Sequence, residues 1–309
     1  MIDLKDCGRF FENEELKKYT SFKIGGPAKY VLFPKNEESL IEAIKRARKD
    51  ELEILILGNG SNVLCADEGY DGLVIILKSA LTKLDINDNK IIAGAGLSLR
   101  ELANAALDKN LSGLEFAHGI PGSVGGGAIM NAGAYGSEMK DVVSSVKILD
   151  EDLNVKVLSN QEMDFSYRHS ITQDKNYIIL EVEFSLNKDK SKEEIKNLMD
   201  DLWQRRLSKQ PLEYPSAGST FRRPEGHFVG QMVDQAGLRG LRHGGAMVSD
   251  KHSGFIINKD KATAKDVREL IEIVQKVIFD KFSVKLQREV KYIGGENGNS
   301  CNNRDEWSR

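Results

Sequence analysis

A glycine-rich apolar stretch in the middle of the chain constrains the fold more than any other sequence feature. Residues 113–136 carry eight glycines in 24 positions, in the run GLEFAHGIPGSVGGGAIMNAGAYG. Flexible linkers pair glycine with serine, whereas these glycines stand among large apolar side chains. Glycine lets the backbone approach a neighbouring group closely because it has no Cβ. The stretch therefore predicts backbone that either packs tightly against the protein or contacts a ligand.

The overall composition is that of a globular protein. The 309 residues are 40% hydrophobic and 29% charged, which excludes a disordered, collagen-like or coiled-coil chain. At about 150 residues per domain, this length favours two domains, with one or three as alternatives. No apolar run reaches the roughly 18 residues of a membrane-spanning helix. The N-terminus also lacks the basic start and apolar run of a secretory signal.

The cysteines and the charge balance narrow the class of protein further. Cys7, Cys65 and Cys301 are too widely spaced for a metal-ligand motif or a disulfide framework. Unpaired cysteines are usual in reducing compartments, so we expect a cytoplasmic protein with no metal site and no membrane association. The net charge of −3 argues against nucleic-acid binding.

One segment departs from this weakly acidic average. Between Trp203 and His243, seven Lys or Arg residues stand against three acidic residues. Such a cluster can be a solvated face of the protein. It can also bind an anionic small molecule, such as a phosphate ester. Charge alone leaves both alternatives open.

Apolar periodicity predicts a mixture of helices and strands. Helices are expected over 37–49 and 264–282, and after two capping boxes at 98–101 and 191–194. Strands are expected over 54–57, 73–77, 142–149, 177–184, 254–257 and 284–292. The last strand, helix and strand form a predicted βαβ module. The pattern as a whole predicts an α+β fold.

The segment GNGSN, residues 58–62, follows a predicted strand. A Rossmann dinucleotide-binding turn would need a third glycine where Val63 stands, and a helix after it. The following residues instead predict a turn and a strand. The loop can still present backbone N–H groups and short polar side chains to a phosphate. Together with the loop at 119–127 it predicts a pyrophosphate held from two sides, with tight backbone packing as the alternative.

Six motifs occur in an order that resembles one enzyme family. They are YTSFKIGGPA (19–28), GNGSNVL (58–64), GIPGSVGGGAIMNAGAYG (119–136), FSYRHS (165–170), AGSTFRRP (217–224) and SVKLQREVKYIG (283–294). Each motif alone is weak evidence, but their order and combination are specific. Over about residues 19–294 the chain is similar to the UDP-N-acetylenolpyruvoylglucosamine reductases, in the shorter, type II form of that family.

The resemblance implies an α+β, FAD-binding fold of the vanillyl-alcohol-oxidase (PCMH) type. It implies FAD-binding subdomains at 1–78 and 79–190 and a C-terminal α+β substrate-binding domain at 191–294, and we expect a disordered or artificial tail at 295–309. The implied cofactor is non-covalent FAD, with NADPH as co-substrate and no obligate protein partner. TSFKIGGP would lie against FAD, and the implied loop contacts are Gly58, Asn59, Gly60, Ser61, Asn62, Gly119, Pro121, Gly122, Ser123, Gly125 and Gly126.

The implied reaction is the NADPH-dependent reduction of UDP-N-acetylglucosamine enolpyruvate to UDP-N-acetylmuramate, in peptidoglycan precursor synthesis. Hydride reaches the terminal vinyl carbon by way of FAD, and negative charge spreads into the substrate carboxylate. Three positions match the family's catalytic residues. Arg168 would hold that carboxylate, Glu289 would donate a hydrogen bond if protonated, and Ser219 would protonate the carbon.

The residues alone leave simpler interpretations of these three positions open. Arg168 could be an exposed arginine at a strand end, and Ser219 could be a turn former. Glu289 could be an exposed carboxylate on a strand, where it alternates with Val290. Only the resemblance assigns the three to catalysis.

The basic segment gains a use from the same resemblance. Lys209 matches a family lysine before a proline, and Arg222 and Arg223 would grip the substrate diphosphate. This chain reads FRRP where other members read FKNP, so the grip differs in detail. His118 and His169 flank motifs, and each could either contact the cofactor or be a satisfied loop histidine.

Two other functions remain open. One is an alcohol or hydroxy-acid oxidase that uses oxygen on the same flavin fold. The other is a non-catalytic sensor that binds flavin or a UDP-sugar. A serine proton donor has no clear use in either, and bleaching of the flavin by NADPH would separate the reductase from the oxidase.

Overall fold

The computed structural model describes residues 2–78 and 80–295. Its α-helices are α1 (Glu37–Lys49), α2 (Leu99–Asp108), α3 (Val124–Ile129), α4 (Lys192–Lys209), α5 (Val229–Gln235) and α6 (Ala264–Phe282). Its strands are β1 (Gly8–Glu15), β2 (Pro27–Pro34), β3 (Ile54–Leu57), β4 (Val63–Cys65), β5 (Tyr70–Ile76), β6 (Leu84–Asn87), β7 (Lys90–Gly94), β8 (Gly133–Ala134), β9 (Ser137–Glu138), β10 (Val143–Leu149), β11 (Val155–Ser159), β12 (Ile178–Ser185), β13 (Arg242–His243), β14 (Ala246–Val248), β15 (Ile256–Asn258) and β16 (Lys291–Ile293). Short 3-10 helices lie at Leu16–Lys18, Glu115–Ala117, Met139–Asp141 and Ile171–Gln173.

The described residues divide into two compact units. The first unit holds residues in the ranges 2–10, 32–59 and 74–206, and the second holds those in 11–31, 60–73 and 207–295. A four-stranded sheet has the order β1-β2-β5-β3, and its residues are assigned to both units.

The first unit contains an antiparallel sheet with the strand order β11-β10-β12-β7-β6. Val146 of β10 pairs with Val182 of β12, and both side chains are fully buried. Paired residues of antiparallel strands lie on the same face, so this pair extends one apolar layer across the sheet. Helix α3, which begins within the glycine-rich stretch, packs against β12. The sheet therefore supports the helix that begins within residues 119–127, which we call the second glycine loop, GNGSN at 58–62 being the first.

The second unit is built around the long helix α6. The helix packs against the antiparallel sheet β13-β14-β15 and buries an apolar stripe that includes Val267, Leu270, Ile271 and Val274. Thr263 begins the helix through a capping box with Asp266. Strand β16 pairs in parallel with β4, where Tyr292 stands opposite Leu64. This pairing holds the C-terminal motif beside the chain segment that follows GNGSN.

The locally encoded elements follow the sequence predictions. Helices over 37–49 and 264–282 are confirmed with the predicted bounds. Both capping boxes are also confirmed, because Ser98 and Ser191 each exchange hydrogen bonds with a glutamate three residues later. Six predicted strands overlap observed strands, but the strand predicted over 254–257 begins only at Ile256 and the one predicted over 284–292 is reduced to Lys291–Ile293.

The predicted C-terminal βαβ module is wrong. A βαβ module needs its two strands parallel within one sheet. Strand β15 instead pairs with β14, whereas β16 pairs with β4. Residues ahead of β16 bond elsewhere, since Gln287 O accepts from Arg222 N at 2.8 Å. The alternating apolar pattern over 284–292 thus reflects pairing with residues 220–222 and burial of Leu286 and Val290.

Three further predictions concern the C-terminal tail, the domain boundaries and membrane association. The predicted tail at 295–309 lies outside the described residues apart from Gly295. The division at 78, 190 and 294 stays a prediction. In residues 2–78 and 80–295, none of the helices has both the length and the apolar character needed to cross a membrane.

Candidate functional site

In the first unit, the start of GNGSN lies against the second glycine loop. Asn59 donates from Nδ2 to the carbonyl of Pro121 at 3.2 Å. A Cβ built on Gly58 would collide with Ser123 Oγ. The structure thus brings together two segments that the sequence predicted to act on one ligand. Gly58 is required by this close approach, because any side chain there would displace Ser123.

The second glycine loop runs into helix α3, which the sequence analysis treated as loop. Ser123 begins the helix, and its Oγ accepts a hydrogen bond from Gly126 N at 3.2 Å. Gly125 N donates to Ala95 O at 2.9 Å. The N–H groups of Gly125 and Gly126 are therefore used within the protein. Three consecutive glycines have a low helix propensity, so this short helix could not be predicted from the sequence.

Gly125 is required by packing within the protein. A Cβ at this position would lie 2.8 Å from Ala95 Cβ and 3.2 Å from Ala95 O. We expect Gly125→Val to lower the thermal unfolding midpoint of the flavin-free protein, because overpacking costs about 1–3 kcal/mol. Gly126→Ala is the matched control, since a Cβ there would meet only Ser123 Oγ, at 3.2 Å. Differential scanning fluorimetry of both variants checks this. Unchanged stability of Gly125→Val would contradict the packing role.

In the second unit, the rest of GNGSN is fixed beside the C-terminal motif. Asn62 Nδ2 donates to Glu289 O at 3.3 Å, and Lys291 N donates to Asn62 O at 3.0 Å. Ser21 N, from the TSFKIGGP segment, donates to Gly60 O at 3.0 Å. Gly60 has a φ of 59°, and a Cβ there would collide with Tyr19 O. Three of the six motifs are thus joined by backbone hydrogen bonds around residues 60–62.

Ser219 and Glu289 are neighbours in the second unit. Glu289 N donates to Thr220 O at 2.9 Å, and residues 220–222 run antiparallel to 287–289. Thr220 is itself held, because its N donates to Gly254 O at 2.9 Å and its Oγ1 accepts from Ile256 N at 2.9 Å. Ser219 is exposed and follows Gly218, whose φ is 78°. Ser219 is thus an exposed residue that directly precedes Thr220, whose backbone and side chain are held by two neighbouring segments.

Arg168 belongs to the first unit and sits on a tight turn. Ser166 and His169 exchange backbone hydrogen bonds of 3.2 and 3.1 Å across it. Arg168 has a φ of 57°, in the left-handed region that non-glycine residues seldom adopt. Its guanidinium lies 5.2 Å from the centre of the Tyr167 ring. Arg168 therefore lies in a turn with a left-handed backbone and not at the end of a regular strand, which was the simpler interpretation of this residue.

The turn is anchored to the end of α3 by residues that the sequence analysis did not single out. Asn131 is fully buried, and its Nδ2 donates to Ser166 O at 3.0 Å. Gln173 Nε2 donates to Arg168 O at 3.1 Å and to Ile129 O at 2.9 Å. The available signal was the polar Asn131 inside an otherwise apolar glycine-rich run. A buried amide of this kind must be hydrogen-bonded, so it ties the arginine turn to the second glycine loop.

The predicted substrate-binding residues lie in the second unit. Lys209 is exposed at the last position of α4. Arg222 is half-buried, and Arg223 is exposed with its guanidinium 3.9 Å from the centre of the Phe228 ring. Stacking on an aromatic face orders a guanidinium without neutralising it. The stacking fixes the position of the Arg223 guanidinium beside Phe228.

The two flanking histidines differ in their surroundings. His169 Nε2 lies 3.0 Å from Asp174 Oδ2, so it has a local partner. His118 Nδ1 is buried and has no hydrogen-bond partner among the described residues. Burial, followed by the charge of Arg100, lowers the pKa of His118. His118 is therefore the histidine with unused hydrogen-bonding capacity beside the second glycine loop.

The loops of the first unit have the properties of a site for a polar ligand. Asn59 Oδ1 and His118 Nδ1 are both buried and both unpartnered in the described part of the chain. Buried polar atoms are nearly always paired, so two orphans beside one pair of loops indicate a missing partner. These residues fit a dinucleotide cofactor with a polar linker. No cluster of metal-ligating side chains was found among residues 2–78 and 80–295.

Two family models match the chain and define its class. A model described as "FAD binding domain" matches residues 28–159, which include both glycine loops. A model described as "UDP-N-acetylenolpyruvoylglucosamine reductase, C-terminal domain" matches residues 210–293, which include Ser219 and Glu289. The fold and the matched segments define an FAD-dependent oxidoreductase. The predicted α+β class and the predicted FAD cofactor are confirmed.

Full-length relatives identify the family. A UDP-N-acetylenolpyruvoylglucosamine reductase of Caldanaerobacter subterraneus subsp. tengcongensis is 52% identical over 287 residues, covering 93% of this chain and 94% of the relative. One from Lactobacillus acidophilus is 49% identical over 298 residues, covering 96% and 99%. The crystal structure of such a reductase from Thermus caldophilus superposes with a TM-score of 0.78 at 35% identity, covering 92% and 98%. The chain belongs to the UDP-N-acetylenolpyruvoylglucosamine reductase family, as its motifs indicated.

Proposed function

We propose that this chain reduces UDP-N-acetylglucosamine enolpyruvate to UDP-N-acetylmuramate, with FAD as cofactor and NADPH as hydride donor. The observation that carries the proposal is the contact between the two glycine loops, where Asn59 bonds Pro121 and two buried polar atoms lack partners. Relatives at about half identity carry the name of this reductase over nearly their whole length. The product is a precursor of peptidoglycan, and we propose a cytoplasmic location for the reaction.

The two loops would hold FAD through backbone N–H groups. FAD supplies hydride-transfer chemistry when it is bound, since it can take a hydride from NADPH and give one to an activated alkene. Gly125 and Gly126 use their N–H groups internally. We therefore assign the phosphate contacts to the other predicted positions that carry an N–H group, which are Gly58, Asn59, Gly60, Ser61, Asn62, Gly119, Gly122 and Ser123. Pro121 has no N–H group, and its carbonyl joins the two loops by accepting from Asn59. Gly125 and Gly126 then shape α3 and support the loop.

Arg168 is the proposed cation for the substrate carboxylate. Addition of hydride to the vinyl carbon places negative charge on the adjacent carbon and on that carboxylate. A guanidinium can hold both carboxylate oxygens, so it stabilises this charge as it develops. The left-handed turn and its anchors on α3 fix the arginine backbone before substrate binds. A fixed cation stabilises the transition state without reorganisation.

Ser219 and Glu289 are the proposed partners in proton transfer. Ser219 would donate its hydroxyl proton to the carbon that carries the developing charge. Glu289, if protonated, would donate a hydrogen bond to the enolate. The backbone bond between Glu289 and Thr220 keeps the two residues in fixed register. Lys209, Arg222 and Arg223 would bind the diphosphate of the UDP group through charge-assisted hydrogen bonds.

Flavin spectroscopy on the purified protein tests the function directly. We expect a yellow protein with flavin absorbance at about 450 nm. This absorbance should disappear when NADPH is added under nitrogen, because hydride transfer reduces the flavin. Anaerobic addition of the enolpyruvyl UDP-sugar should restore the absorbance and yield UDP-N-acetylmuramate. An oxidase would regain its colour only with oxygen. Flavin that bleaches but stays reduced with the UDP-sugar would reject the proposed substrate.

A further inference from the structure

A cluster of aromatic and basic side chains lies against the second glycine loop in the first unit. We call Arg100, His118, Trp203 and Arg206 the arginine cluster. Arg100 comes from α2, whereas Trp203 and Arg206 come from α4. The Arg206 side chain crosses Gly119, because a Cβ built on that glycine would lie 3.1 Å from Arg206 Cδ. No sequence motif marks Arg100 or Trp203, and Arg206 stands out in the sequence only as one of the seven basic residues between Trp203 and His243.

The charge of Arg206 is partly buried and has no counter-ion in the described residues. Its neighbour Arg205 forms a 2.8 Å ion pair with Asp201, one helical turn earlier. The position one turn before Arg206 is Leu202, so helical spacing offers it no carboxylate. Burial is the main cause that lowers the pKa of Arg206; Tyr135 acts in the opposite direction, and the charge of Arg100 lowers the pKa further. An unpaired, desolvated cation costs stability unless a ligand neutralises it.

Arg100 places a second cation beside the same loop. Its guanidinium stacks 4.5 Å from the centre of the Trp203 ring, and its Nε donates to His118 O at 3.3 Å. Within residues 2–78 and 80–295, the partners of the Arg100 guanidinium are this ring and this carbonyl, and neither carries a negative charge. The buried, unpartnered Nδ1 of His118 lies in the same cluster. Two cations without counter-ions at a glycine loop define a site for an anion.

We propose that Arg206, supported by Arg100, binds a phosphate group, and that this group is the pyrophosphate of FAD. The inference rests on the proposed function, because it takes the loop at 119–123 as part of the FAD site. Arginine suits the role, since its planar fork makes two charge-assisted hydrogen bonds to one phosphate. Arg206 lies between the segments matched by the two family models, which end at 159 and begin at 210. Helix α4 therefore contributes to cofactor binding from outside the matched FAD-binding segment.

Titration of flavin-free protein with FAD tests the role of Arg206. We expect Arg206→Gln to bind FAD about 10- to 100-fold more weakly than wild type, as befits loss of a charge-assisted contact. Arg205→Gln is the matched control, because Arg205 is the adjacent residue of the same helix and pairs with Asp201. It should leave the FAD affinity unchanged, and Arg206→Lys should fall between the two. Added NaCl should weaken FAD binding more steeply in wild type than in Arg206→Gln.

The stability of the flavin-free variants separates binding from a structural role. Removing an uncompensated cation should leave the unfolding midpoint of flavin-free Arg206→Gln unchanged or raise it, whereas a structural arginine would lower it. Other phosphates are tested by titrating the FAD-loaded protein with NADP⁺ and with UDP. Losses confined to either of those ligands would overturn the assignment to FAD. So would equal FAD affinity in wild type and Arg206→Gln, whereas wild-type protein without FAD affinity would overturn the proposed function itself.

Discussion

Ser219→Ala is expected to slow flavin reoxidation by the enolpyruvyl UDP-sugar by at least two decades while sparing flavin reduction by NADPH. The two half-reactions differ because only the second delivers a proton to carbon. General acid catalysis is worth about 10²–10⁴-fold, and a hydroxyl is a weak acid that must be held in place. Ser219 is exposed on a backbone fixed through Thr220, so the substitution should not disturb the fold. Stopped-flow traces of each half-reaction measure the two rates separately.

Ser216→Ala is the matched control for this experiment. Ser216 lies in the same segment, and its described hydrogen bond uses the backbone, since its carbonyl accepts from Ser21 Oγ at 2.6 Å. Its replacement should change neither half-reaction. If Ser219→Ala slowed both half-reactions equally, the serine would act on flavin or on the site as a whole. Its assignment as proton donor would then be wrong.

Arg168→Lys and Glu289→Ala are expected to lower turnover by less in combination than the product of their separate effects. Both side chains are assigned to the charge that develops as the hydride arrives, so loss of one changes what the other stabilises. Arg168→Lys keeps a positive charge but loses the planar fork. Interactions stronger in the transition state than in the ground state lower the turnover number, and not the Michaelis constant alone. A double-mutant cycle on flavin reoxidation measures the coupling.

Conservative variants and cofactor content control the cycle. Glu289→Gln retains a hydrogen-bond donor and should be milder than Glu289→Ala. FAD should stay bound in every variant, because the glycine loops are unchanged. Strictly multiplicative rates, or losses confined to the Michaelis constant, would show that these side chains bind substrate without stabilising the enolate.

The parts of the fold that local sequence encodes could be predicted. Helices α2 and α4 begin at capping boxes, because a serine and a glutamate three residues apart satisfy the first N–H groups of a helix. The pairing of β16 with β4 could not be predicted in this way. It joins residues 291–293 to residues 63–65, and no local pattern specifies a partner so distant in the sequence. The wrong βαβ module follows from that limit.

The candidate site also has a part that the sequence predicted and a part that it did not. The order of six motifs was enough to indicate the family, and the glycine content marked both loops. The arrangement around them depended on side chains without a motif, such as Asn131, which holds the arginine turn, and Arg206, which crosses Gly119. A buried amide and an arginine without a counter-ion look ordinary in a sequence. Their roles follow from what surrounds them, which only the folded chain defines.

The left-handed backbone of Arg168 places stability and activity in conflict at one residue. A non-glycine residue in this region gives up about 1–2 kcal/mol, and glycine would recover much of that. A library of substitutions at position 168 that is selected for resistance of the protein to heat should therefore be enriched in glycine. The same library, selected in bacteria whose growth requires the reductase activity, should retain arginine. Thermostable variants of this reductase are better sought elsewhere in the chain, since Arg168, whose backbone is left-handed, is also the arginine assigned to the substrate.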